Sequence, residues 1–84
     1  MAYLVLLKDS AEKELANLPK FIHDRVVNHL LDLKENPRPM GIKKLQGREG
    51  YRLRVGDYRV LYVVNDARKH IEVFSIAHRR EVYR

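Results

Sequence analysis

The spacing of apolar residues changes near the middle of this chain, and the change limits the folds that it can adopt. Four apolar residues of the segment 21–35 recur three or four positions apart: Ile22, Val26, Leu30 and Leu33. This spacing predicts a helix of about four turns with one apolar face. From Tyr51 onward, apolar and polar residues alternate instead, which is typical of strands. A helical first half and a strand-rich second half indicate an α+β domain.

Shorter signals place the other elements of the first half. The segment Tyr3–Lys8 predicts a strand, and Ser10 is the expected N-cap of a first helix. The apolar face of that helix comprises Ala11, Leu15 and Leu18. Pro19 ends this helix and can begin the second one. The segment 36–50, which begins Asn-Pro-Arg-Pro-Met-Gly, predicts an irregular basic connection.

The second half predicts three further strands, which are Tyr51–Val55, Tyr58–Val64 and Ile71–Ala77. A two-residue turn at Gly56-Asp57 and a second turn at 65–69 separate them. The resulting order is strand, helix, helix, strand, strand, strand. It predicts two N-terminal helices packed on one face of a small, mainly antiparallel four-stranded sheet.

Length and composition narrow the class of protein. A chain of 84 residues has room for one domain, 1–84. The sequence contains no cysteine, which excludes disulfides and thiolate metal sites. The first residues, MAYLVLLKDS, lack the basic start and the cleavage site of a signal peptide. Their apolar run is also too short to span a bilayer. We therefore expect a core strand and a cytoplasmic protein with no membrane partner.

The charge is concentrated in the second half of the chain. Residues 1–42 carry six basic and six acidic side chains, whereas residues 43–84 carry eleven basic and five acidic ones. The whole formal net charge of +6 thus arises after residue 42. Such asymmetry suggests a polyanionic partner or an acidic binding protein, although a basic surface that only aids solubility has the same composition.

The turn at Gly56-Asp57 fixes which residues of the hairpin share a face. With these two residues as the loop, Val55 lies opposite Tyr58 and Arg54 lies opposite Arg59. One face is then apolar and suits packing against the helices: Tyr51, Leu53, Val55, Tyr58, Val60 and Tyr62. The other face carries three arginines, Arg52, Arg54 and Arg59, beside two apolar residues, Leu61 and Val63.

This second face is unfavourable for stability alone. Two arginines directly across an antiparallel pair repel each other, and local violations of folding rules are typical of functional sites. Leu61 and Val63 would be left exposed in an isolated domain, so they indicate a surface that a partner chain covers. The alternative is a solvated basic face with no partner.

The C-terminal segment supplies further candidate groups. Histidine titrates near neutral pH, so His78 can exchange protons, and Arg79 and Arg80 can bind phosphate. Tyr83 can stack on a base or transfer a proton. The four histidines lack ligand-like spacing with carboxylates, and neither a metal nor another cofactor is expected.

Taken together, these segments resemble the RelE branch of the RelE/ParE toxins over essentially the whole chain. The resemblance rests on YRLRVGDYRVLYVVND, on IEVFSIAHRREVYR, on the LQG before the hairpin and on the two amphipathic helices. Its most specific parts are the three hairpin arginines and the HRREVY ending.

The resemblance implies a type II toxin that cleaves mRNA in the ribosomal decoding site. Such toxins use the ribose 2′-OH as nucleophile, need no metal, and are held in check by a cognate antitoxin, which can also bind operator DNA. Arg52 and Arg54 occupy positions that these toxins fill with lysine or arginine. Arg59 matches the arginine of their GYR or DYR motif. Arg79 and Tyr83 match an arginine after the last strand and a C-terminal tyrosine.

The candidate site is therefore a set of six catalytic and four RNA-binding residues. The catalytic set is Arg52, Arg54, Arg59, His78, Arg79 and Tyr83, and the RNA-binding set is Lys43, Lys44, Arg48 and Arg80. Arginine hardly gives up its proton. His78 or Tyr83 is therefore expected to transfer protons, with Glu49 as a weaker candidate base.

Two other functions share this expected fold. The ParE branch inhibits DNA gyrase without cutting RNA, and ParE-like chains usually lack the HRREVY ending. A degraded toxin could also survive as a binding module that joins its antitoxin at an operator. Codon preference, the antitoxin's identity and the stoichiometry of the complex leave no signal in the sequence.

Overall fold

The chain forms two helices and five strands in a computed structural model that describes residues 2–78. In chain order, the elements are β1 (Leu4–Leu7), α1 (Asp9–Ala16), α2 (Lys20–Leu33), β2 (Lys43–Lys44), β3 (Tyr51–Val55), β4 (Tyr58–Asn65) and β5 (His70–His78). No helix in the described part of the chain is both long enough and apolar enough to cross a membrane.

The five strands form one mixed sheet in the order β1-β5-β4-β3-β2. β1 pairs with β5 in parallel, and the other three neighbouring pairs are antiparallel. The α+β class and the strand-first order are confirmed, but the prediction of four strands was wrong by one. The additional strand is β2, which pairs Lys43 with Arg52 and Lys44 with Tyr51. A strand of two residues is too short to leave an alternating pattern, so it was taken for irregular connection.

The helix α2 carries the apolar face that its spacing predicted. Of the residues predicted for the α1 face, Ala11 is buried and Leu15 is partly buried, whereas Leu18 follows the end of the helix. The buried residues of α2 are Ile22, Val26, Leu30 and Leu33. They pack in one core cluster with seven residues from the facing side of the sheet, which are Leu53, Val55, Val60, Tyr62, Ile71, Val73 and Ile76. Tyr62 is fully buried and donates a hydrogen bond to the Pro37 carbonyl oxygen at 2.8 Å. Burial, with a smaller effect of nearby Tyr51, raises the pKa of Tyr62 to about 12.

The first helix begins and ends earlier than its sequence predicted. α1 starts at Asp9 with Lys8 as its N-cap, and no side chain caps it. Ser10 therefore lies inside the helix, where its hydroxyl donates to the Phe74 carbonyl oxygen at 3.5 Å. Asp9 and Glu12 supply the negative charge that favours the first turn. The prediction of Ser10 as the N-cap was wrong, because its hydroxyl donates a hydrogen bond to β5 instead of capping the helix.

α1 also completes the edge of β5 after β1 has ended. β1 pairs with β5 only as far as Leu7 and Val73. Beyond that point, Ser10 contacts the backbone of Phe74, and Oε1 of Glu14 accepts a hydrogen bond from the Ile76 N–H at 2.9 Å. These side chains act as substitutes for a neighbouring strand, and they support β5 as far as Ile76.

Candidate functional site

The β3–β4 hairpin has the register that its loop predicted. Val55 pairs with Tyr58 and Arg54 pairs with Arg59, and Gly56 has a φ of 59°. This left-handed conformation is accessible to glycine without strain, which explains why glycine occupies the first loop position. The pairing places Arg52, Arg54 and Arg59 on the sheet face opposite the core.

A basic cavity of about 290 Å³ lies on this outer face of the sheet. Four cationic side chains line it together with Gly41, and we call it the arginine groove: Lys43, Arg52, Arg54 and Arg59. Strand pairing accounts for the arrangement, because Lys43 lies beside Arg52 on β2–β3 and Arg54 lies beside Arg59 on β3–β4. The groove therefore combines the predicted arginines with one residue of the predicted RNA-binding set.

Arg59 differs from the other cations of the groove in being buried. Its exposed fraction is 6%, and within residues 2–78 it is the one buried residue with a charged side chain. Its Nη1 donates to the Tyr58 carbonyl oxygen at 3.2 Å. Arg54 is exposed, and its Nε donates to the Gly56 carbonyl oxygen at 3.3 Å. Because a guanidinium keeps its charge when buried, the groove contains one positive charge fixed in place by its surroundings.

His78 does not line the groove. It pairs with Tyr58, whose side chain belongs to the core face, so strand alternation places His78 on the sheet face opposite Arg59. Tyr58 pairs with His78, and their rings meet edge to face with centroids 5.3 Å apart. Along β5, His78 follows Ala77, which pairs with Arg59. His78 instead lines a second cavity, of about 470 Å³, beside the hairpin loop, and Arg54 lines both cavities.

The remaining predicted RNA-binding residues are dispersed or lie outside the described part of the chain. Lys44 pairs with Tyr51, whose side chain belongs to the core face, so strand alternation directs Lys44 away from the arginine groove. The guanidinium of Arg48 lies 4.0 Å from the centre of the Phe74 ring. Lys44 and Arg48 both line a larger cavity of about 500 Å³. Three further predicted residues, Arg79, Arg80 and Tyr83, lie outside the described residues.

The outer face also carries apolar side chains beyond the groove. Leu61 and Val63 are half-buried rather than exposed, which corrects the expectation from the sequence. The exposed leucines of this sheet are in β1, where Leu4 is 53% and Leu6 is 39% exposed. Leu6 and Val63 both pair with Glu72 and line a small cavity of about 200 Å³. We call Leu4, Leu6, Leu61 and Val63 the apolar patch.

One polar network, which lines the larger cavity, had no signal in the sequence. Arg38 Nη2 lies 2.8 Å from Asp66 Oδ2, and Arg38 Nε donates to the Tyr51 hydroxyl at 2.9 Å. The Tyr3 hydroxyl donates to Asp66 Oδ1 at 2.6 Å. These bonds from Arg38 and then Tyr3 lower the pKa of Asp66 to about 2, and the same pairing raises the pKa of Arg38. The network ties the connection after α2 to the β4–β5 turn, with partners 28 positions apart.

No group of three or more histidine or carboxylate side chains in residues 2–78 is arranged to hold a metal ion. Glu49 is exposed and lines the larger cavity with Lys44 and Arg48, not the arginine groove.

Known proteins share both this sequence and this fold. A family model described as the ParE toxin of the type II toxin-antitoxin system, parDE, matches residues 5–83. Toxin RelE of Mycobacterium tuberculosis (strain ATCC 25618 / H37Rv) is 33% identical over 84 residues, covering 98% of this chain and 87% of that protein.

Solved structures agree with these matches. A chain of the archaeal RelE–RelB complex from Pyrococcus horikoshii OT3 superposes with a TM-score of 0.84 at 34% identity, covering 94% of this chain and 97% of that chain. The isolated E. coli RelE toxin superposes with a TM-score of 0.81 at 29% identity, covering 98% of this chain and 92% of that chain. The chain therefore belongs to the RelE/ParE toxin superfamily, within its RelE branch.

Proposed function

We propose that this toxin is a ribosome-dependent endoribonuclease that cleaves mRNA in the decoding site without a metal ion. The observation that carries the proposal is the arginine groove, in which a buried Arg59 lies among Lys43, Arg52 and Arg54. Fixed cations of this kind suit a phosphate on which negative charge builds during a reaction. Arginine also matches phosphate geometry through two parallel hydrogen bonds.

The proposed reaction is a transfer within the RNA strand. The ribose 2′ oxygen forms a bond to the adjacent phosphorus, and the bond from phosphorus to the 5′ oxygen of the next nucleotide breaks. The 2′-OH proton passes to a base, and the leaving 5′ oxygen receives a proton from an acid. The products are a 2′,3′-cyclic phosphate and a 5′-hydroxyl end.

The candidate catalytic residues divide these roles by their chemistry. Arg59 and Arg79 stabilise charge on the nonbridging phosphate oxygens, and Arg52 and Arg54 hold the backbone in place. None of these arginines is suited to proton transfer, because a guanidinium stays protonated. That work falls to His78, which ends β5 and lines the cavity beside the hairpin loop, or to Tyr83, with the ribosome placing the mRNA.

We also propose a cognate antitoxin that covers this site. The solved relatives include RelE–RelB complexes from P. horikoshii, M. tuberculosis and E. coli. In this chain, the apolar patch adjoins the arginine groove on the same sheet face. A segment with both apolar and acidic side chains would cover the two surfaces together and neutralise the groove. Binding would also stabilise the toxin by mass action.

The test of the activity measures three reactions with one preparation of the protein. We expect the purified toxin to cut mRNA on programmed ribosomes and to leave the same mRNA nearly intact when ribosomes are omitted. We also expect it to leave supercoiling by DNA gyrase unchanged. Because the matching family model is named for ParE, gyrase is the necessary comparison. Inhibition of supercoiling with no cleavage on ribosomes would place the protein with the gyrase inhibitors and reject the proposal.

A further inference from the structure

The second cavity, which holds His78, combines an aromatic ring with cationic groups. It lies between the start of α2 and the hairpin loop, and the side chains used below are Phe21, Arg25, Arg54, Asp57 and His78. We call it the Phe21 cavity. Its position matters because Arg54 lines both this cavity and the arginine groove. An RNA strand bound in the groove would therefore reach the cavity by passing Arg54 and the hairpin loop.

Phe21 is unusually exposed for a phenylalanine. It leaves 67% of its surface in contact with solvent, although the buried face of the same helix provides four core positions. An exposed ring on the rim of a cavity is costly in water and gains nothing from the core. Such a ring suits stacking on a flat partner.

The groups around Phe21 indicate what that partner is. Arg25 reaches the hairpin loop, since its Nη1 lies 3.6 Å from the point that a Cβ on Gly56 would occupy. Arg25 and Arg54 carry two positive charges against the one negative charge of Asp57. Proteins that bind single-stranded nucleic acid use exposed aromatic rings flanked by arginines. The base stacks on the ring, and the phosphate contacts the cations.

We propose that the Phe21 cavity holds one unstacked nucleotide of the RNA substrate, adjacent to the cleaved phosphate. Phe21 stacks on the base, and Arg25 contacts a phosphate. This inference rests on the proposed function and assigns to it a base-binding residue on α2. An antitoxin side chain is the competing occupant, but Arg54 joins the cavity to the groove proposed to bind the RNA backbone, which favours a nucleotide of the same strand.

The first experiment measures occupancy without any cleavage. The chain contains no tryptophan, so F21W introduces a single indole that can stack as phenylalanine does. Adding a short single-stranded RNA should quench its fluorescence, and the same RNA with an abasic residue in place of each base in turn should quench it less at one position. L31W places the indole at an exposed position of the same helix outside the cavity, and its fluorescence should not respond.

The second experiment measures cleavage on programmed ribosomes under single-turnover conditions. Phe21→Ala should lower the rate at subsaturating ribosomes about tenfold, since losing one base–aromatic stack corresponds to about 5- to 150-fold. F21W should stay near wild type, and the control Leu31→Ala should match wild type. An abasic residue next to the cleaved phosphate should slow the wild type to a similar extent but should cause no further loss in Phe21→Ala.

The alternative results distinguish failure of this inference from failure of the proposed function. Independent losses from Phe21→Ala and from every abasic position would mean that the ring contacts no base. Wild-type cleavage by Phe21→Ala, with weakened antitoxin binding, would assign the cavity to the antitoxin. Quenching of F21W by RNA, in a protein that cleaves nothing, would retain the base site and reject the proposed function. Absence of both quenching and cleavage would reject the two proposals together.

Discussion

Among single residues, Arg59 shows most clearly how fold and function meet. An arginine opposite another arginine in a hairpin weakens the pairing, and burying its guanidinium costs free energy. The Arg59 side chain is nevertheless only 6% exposed, and its Nη1 donates a hydrogen bond to the Tyr58 carbonyl oxygen. A position that is poor for stability and well placed for a phosphate is typical of a functional site.

Replacing Arg59 tests this interpretation. Arg59→Ala should lower single-turnover cleavage on ribosomes about a hundredfold or more, by analogy with loss of one donor that stabilises a transition state. Arg59→Lys should restore only part of the rate, because an ammonium cannot form the paired hydrogen bonds of a guanidinium. Arg68→Ala removes an exposed arginine of the β4–β5 turn and should cleave like wild type. A folded Arg59→Ala protein with the wild-type rate would remove Arg59 from the site.

Asp66 gives a prediction for stability against pH. Its pKa is lowered to about 2 in the folded chain by Arg38 and Tyr3, from an ordinary value of 3.8. The folded state thus favours the ionised carboxylate, so this contribution is present above about pH 4 and is lost as the pH falls toward 2. Thermal unfolding of Asp66→Asn should be less sensitive to pH than that of wild type across this window. Parallel curves for the two proteins between pH 4 and pH 2 would show that the pairing does not stabilise the fold.

At the level of elements, the sequence predicted those with a clear period or a defined turn. The α2 face followed from apolar spacing, and the hairpin register followed from the loop Gly56-Asp57. The strand β2 was not predicted because two residues are too few to show an alternating pattern. Three other features depend on contacts distant along the chain, for which one sequence has no local signal. These are the Arg38–Asp66 pair, the use of Glu14 at the edge of β5, and the position of Phe21 beside the hairpin loop.

The exposed side of β1 yields a prediction about the antitoxin. Leu6 is 39% exposed on the outer sheet face, where it shares a cavity with Val63. Leu6→Glu would place a carboxylate against an apolar and acidic antitoxin segment, and it should weaken antitoxin binding roughly tenfold or more. Cleavage by the free toxin should not change. Leu31→Glu, on the exposed side of α2, is the matched control in calorimetric titration. Unchanged affinity for Leu6→Glu would mean that the antitoxin does not cover this patch.

In the whole molecule, the two faces of the small sheet have different roles. One face packs on α2 in a single apolar cluster. The other carries the arginine groove and the apolar patch, which are of little use to an isolated domain. The formal net charge of +6 arises in the half of the chain that builds this second face. A strongly basic surface favours rapid approach to a polyanion, which under the proposed function is the ribosome that presents mRNA.

The measurement that tests this account most directly is cleavage of an mRNA with a single 2′-deoxynucleotide at the scissile position, on programmed ribosomes. Without the 2′-OH no nucleophile is present, so we expect cleavage at that bond to cease. A 2′-deoxynucleotide elsewhere in the codon should leave cleavage nearly unchanged. The unmodified mRNA should yield a 2′,3′-cyclic phosphate and a 5′-hydroxyl end. Continued cleavage at the deoxy-substituted bond, or a 3′-hydroxyl product, would contradict the account.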